Sequence, residues 1–150
     1  MRSHLIPLML LAAGCGGNPL SPTERVLFEG AVTRWEQRGG PDYTVESRVL
    51  CFCPPYLTTW TRLTVRNDLL VSAEPLGPIF GGEEGSLTGW RTVLGAFEAI
   101  REVLYSDDAE DVTFSFDEEL GYPLDFQMTC HPLITDCGFT LQMRNLVLLP

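Results

Sequence analysis

Apolar positions along this chain recur first at helical spacing, then at every second residue, and then run through the same two periods again. Leu27, Phe28, Ala31 and Trp35 fall at helical spacing, while Glu24, Arg25, Glu29, Arg34, Glu36 and Arg38 fall largely elsewhere. That pattern predicts a helix with one apolar stripe. Ser21-Pro22-Thr23-Glu24 has the spacing of a capping box with proline at the first helical position, and Gly39-Gly40-Pro41 ends the segment.

From Tyr43 the period drops to two. Tyr43, Val45, Ser47, Val49, Cys51 and Cys53 point one way and Thr44, Glu46, Arg48, Leu50 and Phe52 the other, until Pro54-Pro55 stops the strand. Residues 61–66 and 69–73 alternate around Asn67-Asp68, the composition of a tight hairpin turn. Residues 75–85 are rich in Gly and Pro and read as a loop. Val93, Phe97, Ile100 and Leu104 then return to helical spacing, with Thr88 as the expected cap. Three further strands follow. Val112, Phe114 and Phe116 alternate in the first, Leu124, Phe126 and Met128 in the second, and Phe139, Leu141 and Met143 in the third. The expected fold class is α+β, with two helices packed on antiparallel strands in the order helix, three strands, helix, three strands.

Ahead of this pattern the chain reads as an export signal. Arg2 is followed by the apolar run Leu5 to Leu11 and then by Ala12-Ala13-Gly14 before Cys15. The run is shorter than the roughly 20 residues a membrane-spanning helix needs. Leu11-Ala12-Ala13-Gly14-Cys15 resembles the bacterial lipobox, although the leucine lies four places before the cysteine and not three. The expectation is a lipoprotein signal peptide at 1–14, an acylated tether at 15–20 and a single α+β domain at 21–150. Membrane lipid, reached through acylated Cys15, is the first expected partner. Gly16 after the cysteine points, by resemblance to lipoprotein sorting, to the outer membrane of a cell envelope that has one.

Charge narrows the remaining partners. Ten basic residues, all arginine, face twenty carboxylates, for a net charge of −10. A phosphate backbone needs a clustered cationic face, so nucleic acid is a poor partner. A protein or another envelope component, bound through the sheet face or the 75–85 loop, is the expected one.

Chemistry is sparse. Besides Cys15 the chain has Cys51, Cys53, Cys130 and Cys137, an even number suited to disulfides in an exported protein. Cys130 and Cys137 continue the apolar faces of consecutive strands, so a bridge between them across the hairpin is the favoured pairing. Cys51 and Cys53 share a face, but a ring through one residue strains the preferred geometry. They could instead reach Cys130 and Cys137, and the pairing stays open. The same four thiols, or three with His131, could hold zinc, but their spacing is unlike a zinc knuckle. His131 and Asp136 would be the residues of a hydrolase, and no nucleophile-elbow sequence accompanies them. Exchange chemistry at Cys51-x-Cys53 finds no following helix to acidify a thiol. The acidic pairs near residues 107–119 lack the spacing of a calcium loop and read as solvated turns. Trp35 and Phe97 read as core, and Trp60 and Trp90, near element ends, as exposed candidates for an interface. No cofactor is expected.

Trp35, Asp42-Tyr43-Thr44-Val45, Cys51-Phe52-Cys53-Pro54-Pro55 and Gly121-Tyr122-Pro123 together resemble a domain-of-unknown-function family of secreted bacterial proteins and lipoproteins. The resemblance runs from Leu27 to Leu146. It implies export and one domain, and it adds no activity. Cys130 and Cys137 stand outside that pattern as an extra pair, which puts a simple Cys51–Cys53 bridge in doubt. The reading is a membrane-anchored envelope lipoprotein that binds or supports without catalysis.

Overall fold

The computed structural model describes residues 21–79, 86–105, 109–130 and 138–150, with the side chains of residues 109 and 110 excepted. The expected leader at 1–14, the expected tether at 15–20 and Cys15 therefore lie outside the described residues.

Helix α1 spans Pro22–Arg38 and is capped as its sequence dictates. Ser21 Oγ accepts from the Glu24 backbone N–H, and the Ser21 N–H donates to the Glu24 carboxylate at 2.7 Å. The Ser21 bonds hold the Glu24 carboxyl below its ordinary range. Its core stripe is Phe28, Ala31 and Trp35, with Val32 half-buried. Leu27, expected in that stripe, is 55 % exposed. It sits roughly a quarter-turn from the stripe's centre, beyond the reach of the sheet.

β1 (Tyr43–Cys51), β2 (Thr61–Arg66) and β3 (Leu69–Pro75) form one meander. A short 3-10 turn, Pro55–Thr58, lies between β1 and β2. Asn67 and Asp68 take φ of 51° and 61°, the left-handed pair of a two-residue hairpin turn. Helix α2 spans Val93–Leu104, and Thr92, not Thr88, caps it by accepting from the Gly95 N–H at 3.1 Å. β4 (Ala109–Phe116), β5 (Pro123–Cys130) and β6 (Phe139–Leu148) complete an antiparallel sheet in the order β3-β2-β1-β6-β5-β4. The α+β order of helix, three strands, helix, three strands is thus the observed one, with β1 and β6 paired at the centre. Three antiparallel steps separate β1 from β4, so the two run in opposite directions. Phe28 of α1 meets Phe97 of α2 at 6.1 Å between ring centroids.

Both helices cover one face of the sheet. Rows run across it in register, such as Val49, Leu141, Phe126 and Phe114. Phe28 and Phe97 each meet Phe116 of β4, and the edge-on pair Trp35–Tyr43 joins α1 to β1. Tyr43 is fully buried, and its hydroxyl accepts at 2.8 Å from the backbone N–H of Val93, the first residue of α2. Burial pushes this phenol up to about 12, and the negative charge of Asp68 adds to it against opposing bonds from Val93 and Thr92.

The Asp117 to Pro123 connection is equally specified. Asp117 Oδ1 accepts from the Glu119 and Leu120 N–H groups, as an aspartate turn does. Gly121 takes φ +87°, and a Cβ there would run into the Ala31 carbonyl oxygen and the Arg34 Cβ of α1. Tyr122 and Pro123 are buried behind it.

Replacing Tyr43 by Phe keeps the Trp35 contact but strands the Val93 N–H. Chemical denaturation should show a loss of about 1–3 kcal/mol with an unchanged slope. Gly121→Ala combines a forbidden φ with a backbone clash. It should cost at least about 2 kcal/mol and loosen the amide-exchange protection of the middle of α1.

Candidate functional site

β1 leaves the sheet at Cys51 and the chain bends through Phe52 and Cys53. The bend brings the two Cα atoms to 5.2 Å, against about 6.7 Å for two residues of extended strand. Cys51 and Cys53 are accordingly disulfide-bonded to each other. The doubt raised by their spacing is corrected by this bend, because 5.2 Å lies within the ordinary range for a disulfide. Nor does Cys51 face Cys130: Cys51 pairs with Phe139 of β6, and Phe139 with Met128 of β5, so a whole strand intervenes.

The disulfide forms one wall of a groove of about 320 Å³ on the helix face of the sheet. Val49, Phe139 and Leu141 make its floor, being the ends of the apolar rows where β1 meets β6. Leu57, from the 3-10 turn, and Gly89 close another side. Gly89 takes φ +84° with Leu57 against the place a Cβ would occupy. Arg91 brings a positive charge to this apolar setting. Among the described residues, neither helix contributes to the lining. Phe52 projects outward with 86 % of its surface exposed. Alternation had already set Phe52 opposite the cysteines, but nothing in the sequence marked Arg91, Val49 or Leu141 as its neighbours.

The opposite face of the sheet carries two sets of polar side chains bonded to each other across strands. Arg48 Nε donates to Gln142 at 2.7 Å, and Gln142 donates to Asp125 at 2.6 Å, along one row of cross-strand neighbours. Glu46 accepts from Arg144 at 2.9 Å and Asn145 at 3.0 Å, and pairs with Arg62 at 3.5 Å. Adjacent residues Arg144 and Asn145 reach the same carboxylate because β6 carries an extra residue there, with Asn145 at φ 53°. Burial alone would raise the Glu46 carboxyl; the bonds from Arg144 and Asn145, the charge of Arg144 and the bond from Arg62 outweigh it and hold it low. Trp60 is half-buried, with the guanidinium carbons of Arg144 and Arg48 at 3.9 and 4.7 Å from its ring. Trp90, expected at the surface, is a core residue because the segment before α2 folds it inward. Neither tryptophan is a free platform.

Of the other candidate residues, Cys15, His131, Asp136 and Cys137 lie outside the described residues. Cys130 is disulfide-bonded. The 75–85 loop is described only as far as residue 79. Among the described residues no group of three or more His, Cys, Asp or Glu side chains could hold a metal ion. The Cys51–Cys53 bond withdraws two thiols from the four-cysteine set. Asp117 serves its turn, and Asp111, Glu118 and Glu119 are exposed. Among the described residues, no helix is long and apolar enough to cross a membrane.

A family of unknown function, DUF6174, matches residues 28–148, from the first buried aromatic of α1 to the end of β6. The chain belongs to this family. Three of the motifs read from the sequence have structural explanations: Tyr43 accepts from the first N–H of α2, Cys51 and Cys53 close a ring beside the groove, and Gly121 lies against the backbone of α1. No curated protein and no solved structure matches.

Glu46 tests the polar face. Its carboxyl is held low when folded, so its stabilising effect is present above the unfolded value of about 4.3 and is lost as pH falls through the folded one. Glu46→Gln should cost about 1–2 kcal/mol at pH 7, and urea titrations should show that deficit shrinking below about pH 4.

Proposed function

We propose that this member of DUF6174 is a lipid-anchored module of the bacterial envelope. It acts without catalysis and binds an extended, apolar polypeptide segment in the groove beside Cys51 and Cys53. The observation that carries the reading is the groove itself. It has an apolar floor and an exposed phenylalanine at its rim, on a protein whose other sheet face joins Arg48, Gln142, Glu46 and Arg144 in hydrogen bonds across strands. Exposed aromatic residues beside apolar clefts are typical anchors for a partner.

Charge complementarity names the occupant further. Arg91 is the cation of the groove lining, in a chain of net charge −10, and would meet an acidic group on the bound segment. The anchor is supported by Leu11-Ala12-Ala13-Gly14-Cys15, which would leave a short tether before Ser21.

Three measurements test the proposal. Intact mass of the chain taken from its native membrane should lack residues 1–14 and carry acyl chains on Cys15, and Cys15→Ser should release the protein into the soluble fraction. A photo-crosslinking phenylalanine analogue at position 52 should label an apolar, glutamate-bearing peptide, and the unlabelled peptide should compete. The same analogue at Glu29, exposed on α1, serves as the control. Equal labelling at both positions would remove the groove as the binding site.

A further inference from the structure

We propose that the Cys51–Cys53 disulfide is exchangeable, and that the segment seated in the groove is one that carries a dithiol. This inference rests on the reading of the groove as a polypeptide site and adds chemistry to it. As a staple the bond does little. Its sequence separation is 2, the loop it closes is therefore minimal, and the freedom a disulfide removes from the unfolded chain grows with the logarithm of loop length. The end of β1 is already held, because pairing with β6 continues through Cys51 opposite Phe139.

Placement favours exchange. Both cysteines are half-buried and line the groove, so the bond lies where a bound segment would lie. Phe52, between them, turns its ring out to solvent and leaves the bond's flanks uncovered by its own side chain. Arg91, in the same lining, supplies the positive charge that favours both an approaching and a departing thiolate. It takes the part that a following helix would otherwise play.

The step balances with the partner's dithiol as reductant. A partner thiolate attacks one sulfur of the pair, a mixed disulfide forms as the Cys51–Cys53 bond breaks, and the displaced sulfur leaves as a thiolate that takes a proton from water. The partner's second thiol loses its proton to solvent and attacks the partner sulfur of the mixed disulfide. Cys51 and Cys53 end as two thiols, and the partner ends with a disulfide, having given up two electrons and two protons. An oxidised partner runs the same steps in reverse.

The test uses the full oxidised chain and a synthetic apolar peptide with two cysteines and a glutamate, as the free dithiol and as its S-methylated form. Acid quenching, alkylation and peptide mass mapping follow the reduction of Cys51–Cys53. The cyclic disulfide of the tripeptide Cys-Phe-Cys, with the same ring, is the reference. Reduction in the protein should saturate with peptide and exceed that of the tripeptide at least about tenfold, since a bound thiol acts at high effective concentration. Arg91→Gln should lose much of that advantage. If the S-methylated peptide binds but reduction is no faster than in the tripeptide, exchange is overturned while the binding module stands. If the S-methylated peptide does not bind, both fall. Joint replacement of Cys51 and Cys53 by Ala should leave the denaturation midpoint nearly unchanged, and a chain left unfolded by it would return the bond to a structural role.

Discussion

The bond from the Val93 N–H to the Tyr43 hydroxyl is the constraint on which the arrangement of elements depends. One side chain of the central strand satisfies the first backbone donor of α2 and meets the edge of Trp35 from α1. A buried N–H without a partner is costly, so α2 has one depth and one register over the sheet. With α2 placed, Phe97 reaches Phe28 and Phe116, and the edge strand β4 is drawn under the same core. Gly121 closes the arrangement from the other end by letting the β4–β5 connection lie directly on the backbone of α1.

The two faces of the sheet follow opposite physics. Toward the helices, rows of apolar side chains exclude water and contribute by area removed from it. Away from them, Glu46 gathers Arg62, Arg144 and Asn145, and Arg48, Gln142 and Asp125 form a second chain, so that polar side chains meet each other across strands. Exposed ion pairs contribute little individually, but a nearly buried carboxylate with three partners pins β2, β1 and β6 in register. The bulge at Asn145 is the local distortion that lets it do so.

The groove arises where these two economies stop short of each other. The apolar rows extend along β1 and β6 beyond the described helices, to Val49, Leu141 and Phe139. At that margin the chain turns, and the turn joins Cys51 to Cys53 and lifts Phe52 into solvent. A pocket made from the ends of core rows inherits the rigidity of the sheet, which suits a binding site. Within DUF6174, the Cys-x-Cys pattern of this chain thus has a place in the fold beside that site.

What is local was legible. The α1 capping box, the Asn67-Asp68 hairpin, the alternation in each strand and the stripes of both helices depend on residues a few positions apart, and from them the α+β order follows. Where the stripe alone was used, it misjudged Leu27, because periodicity does not report how far the sheet extends beneath a helix. Only the tertiary structure decided the rest. The partner of the Tyr43 hydroxyl lies 50 residues away and that of Glu46 98, separations over which no spacing rule operates. Burial of Trp90, the central pairing of β1 with β6, and the placing of Arg91 and the disulfide in the lining of one groove are of the same kind. The Cys51–Cys53 bond belongs there too: sequence set the cysteines two apart, but whether they could join turned on the bend where β1 leaves the sheet.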